Sequence, residues 1–209
     1  MRRIAVFVLS IVATTLVAGC ANTKEGERLT APAAGAATLR TLVDNQTGLD
    51  VTSGGTGTFN WAGQSFVVQD SGAFGDLRFH WYSFQRAPVA FGSLYLLTQE
   101  YLGVPGNLGS TTAGFVARSE RIENGVYVFG AGATITGGTK YWVYTDTQGS
   151  FAGSFDTDIY PSGDLYVTGF PTSPFRRAQA SGRMVNGVFV PAPAGVFVDA
   201  NFKLQAKAR

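Results

Sequence analysis

Cysteine and histidine are almost missing: the 209 residues hold one of each, Cys20 and His80. A single thiol cannot close an internal disulfide, and one imidazole without a second cannot build a histidine zinc site. Histidine acid–base chemistry would rest on His80 alone, and that residue sits in an alternating stretch where a solvated or simply hydrogen-bonded ring is the plainer reading. The Gly-x-Ser-x-Gly turn of serine hydrolases is absent. The glycines at 130 and 132 lack the Lys-Ser/Thr that completes a phosphate loop. Helix-forming periodicity of Ala, Leu, Glu and Lys is scarce, and no repeat at a fixed period points to a propeller or solenoid. The main apolar run, residues 4–17, falls short of the ~20 residues a membrane helix needs.

What surrounds that run is informative. Arg2 and Arg3 precede it, and Ala18 and Gly19 stand before Cys20, the pattern of an export signal. Leu16-Val17-Ala18-Gly19-Cys20 resembles the lipobox of bacterial lipoproteins. The resemblance implies cleavage before Cys20, acylation of its thiol and new amine, and retention at a lipid bilayer. Each buried CH₂ of an acyl chain contributes about 0.8 kcal/mol, so several chains hold a soluble domain firmly. Ala21, in place of an acidic residue, implies sorting to the outer membrane. Lipidation would also consume the one thiol and remove thiolate chemistry.

Cleavage balances the charge. The 16 basic residues fall to 14 when Arg2 and Arg3 leave, equal to the 14 acidic residues, all of which follow Cys20. A neutral mature chain has no electrostatic footprint for nucleic acid. The expected organisation is a signal peptide at 1–19, a lipidated flexible tether at 20–38 and one domain at 39–209.

Strand formers and turn signals fill the domain. In residues 196–205, Val196, Val198, Ala200, Phe202 and Leu204 alternate with Phe197, Asp199, Asn201, Lys203 and Gln205, which describes a half-buried strand. Leu77, Phe79 and Trp81 alternate with Arg78, His80 and Tyr82, and residues 140–145 are strong strand formers. Further strands are expected near 56–60, 64–69, 92–98, 112–118 and 164–168. Asn124-Gly125 and Asn186-Gly187 each separate two apolar runs, as type I′ hairpin turns do. The fold class is therefore all-β: an antiparallel β-sandwich of jelly-roll type.

Several stretches, in order, are similar to the choice-of-anchor β-sandwich domains of exported bacterial proteins. They are Gln64-Ser65-Phe66-Val67-Val68, Gly92-Ser93-Leu94-Tyr95-Leu96, residues 138–144, Ser162-Gly163-Asp164-Leu165-Tyr166 and residues 199–204. The resemblance spans roughly residues 55–205 and implies a surface domain without catalytic residues to carry over. The chain departs from it at residues 170–183, where Pro171, Pro174, Arg176 and Arg177 suggest a longer loop.

Aromatics supply the candidate ligand-binding residues. Alternation sends Tyr141 and Trp142 to opposite faces; if Tyr141 joins Val143 in the core, Trp142 and Tyr144 form an outward pair suited to stack on a sugar ring, unless a loop covers them. Trp81 and Tyr82 are candidates of the same kind. Asp156, Asp158 and Asp164 lie within nine residues of one another around a Pro-Ser-Gly turn. They offer a calcium site, or are turn-forming and solvated, since the calcium-loop pattern is lacking. No cofactor other than possible calcium is implied. The sequence points to an exported, lipid-anchored envelope protein with a non-catalytic binding or adhesion module. Its expected partners are the bilayer and a glycan or an envelope protein. The rival readings are a structural envelope lipoprotein and a polysaccharide hydrolase using Asp156, Asp158, Asp164 or Glu100.

Overall fold

The computed structural model describes residues 38–46, 60–154 and 157–209. The leader, Cys20 and all but the end of the expected tether lie outside them. The chain divides into two units, Met1–Gly35 and Ala36–Arg209, and every described residue belongs to the second.

Among the described residues fourteen strands follow in order: β1 (Arg40–Asp44), β2 (Trp61–Val67), β3 (Ala73–Tyr82), β4 (Pro88–Val89), β5 (Leu94–Leu97), β6 (Phe115–Glu123), β7 (Val126–Phe129), β8 (Ile135–Thr136), β9 (Lys140–Thr145), β10 (Leu165–Thr168), β11 (Arg176–Arg177), β12 (Gly182–Val185), β13 (Val188–Pro191) and β14 (Phe202–Ala208). The expected strand at 56–60 lies outside the described residues apart from Asn60, which bridges to Gly149.

All strand pairs are antiparallel. One sheet runs β1-β14-β3-β7 and the other β6-β5-β9-β2, extended by β10 and β11. The first strand thus lies beside the last, and the principal strands interleave in jelly-roll order. β6 serves both sheets. Its first half pairs with β5, its second half with β7, and the register breaks between Ser119 and Arg121, where the strand turns the corner.

Period-two alternation fills the space between the sheets. Phe202 and Leu204 of β14, Phe79 and Trp81 of β3, Phe66 of β2 and Val143 of β9 join one buried cluster. Phe66 and Phe202 meet across the sandwich with ring centroids 6.3 Å apart, and Phe202 stacks on Phe79 at 5.5 Å. Asp76, at φ 50°, lies in β3 between Phe74 and Leu77, opposite the register break in β14, and both apolar side chains remain buried.

Both Asn-Gly pairs adopt positive φ, 50° and 79° at Asn124-Gly125 and 49° and 79° at Asn186-Gly187, as a type I′ turn requires. Their settings differ. The first joins β6 to β7 inside the main sheet, whereas the second caps β12–β13, a separate two-stranded hairpin with Val188 and Phe189 exposed.

Residues 196–201 depart from the expected half-exposed strand. Val198 and Ala200 face the core, but Asp199 and Asn201 on the opposite face are buried as well. Residue 198 bonds to Ala178 and Leu165 through its backbone, so β14's leading segment runs along the second sheet before joining the first.

Candidate functional site

β9 obeys the alternation expected of it. Tyr141 and Val143 enter the core, which leaves Lys140, Trp142 and Tyr144 on the outer face. That face is not open along its length. Residues 98–114, which include a 3₁₀ turn at Pro105–Asn107, fold over it, and Phe175 joins them through a backbone bond to Gly103. Tyr95, Leu97, Leu108, Tyr144, Tyr166 and Phe175 form a second apolar cluster there.

Tyr144 is consequently not a surface ring, contrary to the outward pair considered above. It is fully buried, with Tyr101, Tyr166 and Phe175 at centroid distances of 5.7, 5.5 and 4.9 Å. Its hydroxyl accepts the Tyr101 backbone N–H at 3.0 Å, and burial drives its acidity well below that of an ordinary phenol. Gly63 stands opposite it in register, where any Cβ would collide with the ring.

Trp81 and Tyr82 are also enclosed. Trp81 is wholly buried against Phe79 and Phe151, at centroid distances of 4.9 and 5.4 Å. Tyr82 is 5 % exposed, edge-on to His80, and donates its hydroxyl proton to Asp44 at 3.2 Å. Burial, then the Asp44 charge, pushes that phenol up to about 12. His80 is held neutral for the same reason: burial and then the Lys203 charge lower it to about 4. Three of the four candidate aromatics are therefore packing residues: Trp81 faces the core between the sheets, residues 98–114 cover Tyr144, and Tyr82 is enclosed beside His80 and Asp44.

Trp142 remains half-buried and anchors a polar ledge. Its Nε1–H donates to the Tyr166 hydroxyl at 3.2 Å, and that hydroxyl donates to Glu100 Oε1 at 2.8 Å. Arg177 Nε donates to the same oxygen at 2.9 Å. Arg177 and Lys140 each approach Asp164 Oδ2 at 3.8 Å, and the Lys140 ammonium lies 5.5 Å from the Trp142 ring centroid. Burial pushes the Glu100 carboxyl up, but hydrogen bonds from Arg177 and Tyr166 and the Arg177 and Lys140 charges hold it below its ordinary value.

Of the three aspartates, the two described ones, Asp158 and Asp164, are engaged by different partners. Asp156 lies outside the described residues. Asp164 is turned to Lys140 and Arg177, whereas Asp158 accepts the Tyr160 backbone N–H at 3.1 Å. Among the described residues no three His, Cys, Asp or Glu side chains group to hold a metal ion.

Two features escape a reading of the sequence. Asp199 is 1 % exposed and accepts Gln64 Nε2–H at 2.9 Å and the Tyr160 N–H at 3.0 Å. Burial is the main reason its carboxyl is pushed up to about 8, with the neighbouring Asp158 adding to the rise. Alternation had placed it on a polar face, and only the packing of Tyr160 and Gln64 encloses it. The second feature is a groove of about 580 Å³ at the β10–β11 edge, walled by Asn60, Thr168, Phe170, Ser173, Pro174 and Arg176. Its one sequence signal was the departure of residues 170–183 from the choice-of-anchor pattern.

No protein-family model, curated protein or solved structure matches this chain.

Proposed function

We propose that this is an exported, lipid-anchored protein of the bacterial cell envelope, held at the outer membrane through acylated Cys20. Its jelly-roll domain is a non-catalytic binding or adhesion module with carbohydrate as the ligand class. The observation that carries this reading is the Trp142 ledge: a half-buried indole fixed by Tyr166 and bordered by Lys140, Glu100 and Arg177. An indole face suits the C–H side of a sugar ring, and bordering charges suit its hydroxyls. The lipobox-like Leu16 to Cys20 supports the anchor, and the likeness to choice-of-anchor domains supports a surface location.

A glycan array probed with the full-length protein in detergent tests the ligand class. Trp142→Ala is expected to weaken binding by about 10- to 100-fold, the equivalent of roughly 1–3 kcal/mol of stacking and apolar burial. Array binding unaffected by that substitution would move the site elsewhere. Cys20→Ser is expected to abolish acyl-chain labelling and leave an unprocessed precursor.

One observation favours a second reading, a structural lipoprotein that packs against other envelope proteins. The β12–β13 hairpin exposes Val188 by 64 % and Phe189 by 55 %, and large exposed apolar side chains in one place suit a protein contact. Phe189→Asp would then abolish cross-linking to that partner and leave glycan binding intact.

A further inference from the structure

The edge strand β11 places two arginines side by side in opposite circumstances. Arg177 is in register with Tyr166 and is engaged by Glu100 and Asp164. Arg176 is in register with Val167, so its side chain leaves the other face of the strand. It is exposed, and its guanidinium has neither a hydrogen bond nor an ion pair among the described residues.

Arg176 lines three recesses among the described residues. One is the 580 Å³ groove already described; a second, of about 510 Å³, includes Gln179, Ser181 and Val198; the third, of about 450 Å³, includes Glu100, whose carboxylate is held by Arg177. No acidic side chain among the described residues lines the first two. Among the described residues the cation has no ion-pair partner, while around it stand the Asn60 amide, the Ser173 hydroxyl and the ring of Phe170, 69 % exposed.

Those groups specify a ligand chemistry. A guanidinium presents two parallel N–H donors that match the two oxygens of a planar carboxylate. Amide and hydroxyl side chains both donate and accept, as ring hydroxyls require. An exposed phenyl ring offers an apolar surface to the C–H face of a pyranose. A nucleic-acid strand would call for a row of free cations, and the adjacent Arg177 is already neutralised by Glu100 and Asp164.

We infer that the β10–β11 edge groove binds an acidic saccharide of the uronate class, with Arg176 taking the carboxylate and Phe170 the ring face. This rests on the carbohydrate reading of the domain and names the sugar it selects.

Titration calorimetry of the full-length protein with oligogalacturonate, and with the same oligosaccharide after its carboxyl groups are reduced to alcohols, tests the inference. The wild-type protein is expected to bind the acidic form at least about tenfold more tightly, with an advantage that shrinks as salt rises. Arg176→Gln is expected to remove that advantage without affecting the carboxyl-reduced form, and Arg176→Lys to restore part of it. Because Arg176 is exposed and has no partner among the described residues, both variants keep the wild-type melting temperature. Equal binding of the two forms, or an acidic preference that survives Arg176→Gln, overturns the acidic selection and leaves the saccharide reading in place. Arg176-dependent binding of inorganic phosphate without binding of oligogalacturonate overturns it too, reassigning the groove to phosphate. Failure to bind these probes or any glycan on the array overturns both.

Discussion

The backbone N–H of Tyr101 donates to the hydroxyl of Tyr144 at 3.0 Å, across 43 residues of chain. This bond fastens the segment 98–114 onto β9 and makes the outer face of that sheet the floor of a second apolar layer. The phenolic oxygen gives a part-buried N–H the acceptor it needs, and the ring fills the space left by Gly63. A sandwich that would otherwise have one core therefore has two, and Trp142 stands at the margin of the second.

Tyr144→Phe should cost about 1–3 kcal/mol, because the Tyr101 N–H loses its acceptor while the ring stays. Tyr144→Ala should cost about 3–5 kcal/mol, since it also opens a cavity beneath the covering segment. Urea unfolding measures both. Wild-type stability in Tyr144→Ala would mean that residues 98–114 do not cover β9.

Trp81 and Trp142 should respond to substitution in opposite ways. Trp81 is sealed in the core, so Trp81→Ala should lower stability by about 3–5 kcal/mol. Trp142→Phe keeps a ring at the ledge but loses the Nε1–H donated to Tyr166, so its stability cost should be near 1 kcal/mol. The comparison needs melting curves and glycan affinities for both variants. A larger stability loss in Trp142→Phe than in Trp81→Ala would reverse the assignment.

The two Asn-Gly turns give a matched pair. Gly125→Ala would meet the Pro88 carbonyl as well as the strain of φ 79°, and should destabilise the whole domain by about 2 kcal/mol or more. Gly187→Ala carries the same φ but meets nothing nearby. It should loosen only the β12–β13 hairpin, by about 1 kcal/mol, visible as faster amide exchange there with an unchanged global transition.

Stability should depend on pH through two buried groups of opposite sign. Asp199 is raised from 3.8 to about 8, so what its protonated form contributes is complete below about pH 4 and lost as pH rises to 8. His80 is lowered from 6.5 to about 4, so what its neutral form contributes is complete above pH 6.5 and lost as pH falls to 4. The two slopes oppose each other between pH 4 and 6.5, giving a plateau there. From 6.5 to 8 stability should fall, by at most about 1.4 kcal/mol per pH unit. Asp199→Asn should abolish that fall and uncover a rise between pH 4 and 6.5. An Asp199→Asn profile parallel to wild type would show that Asp199 is ionised throughout.

Much of the fold was legible because its causes are local. Val198, Ala200, Phe202 and Leu204 could be assigned to one buried face from alternation alone, and Asn124-Gly125 and Asn186-Gly187 could be read as turns because few other residue pairs accept two positive φ angles. Even the split between Tyr141 and Trp142 followed from period two. The candidate site was less legible. Alternation tells which side chains leave a sheet together, but it is silent on what lies over them, and so Tyr144 and Tyr82 could not be told from surface rings, whereas Trp81 shares the core face of Leu77 and Phe79.

The sequence by itself determined the all-β class, the turns, the alternating faces and the lipobox-like stretch that motivates an anchor, since each depends on neighbours within a few residues. Only the tertiary structure decided that residues 98–114 and Phe175 bury Tyr144, that Tyr160 and Gln64 enclose Asp199, and that Arg177 is neutralised while Arg176 has no partner among the described residues. These outcomes depend on which distant segments meet. A charge or a ring acquires its role from the groups packed against it, and for each of these residues those groups lie tens of residues away along the chain.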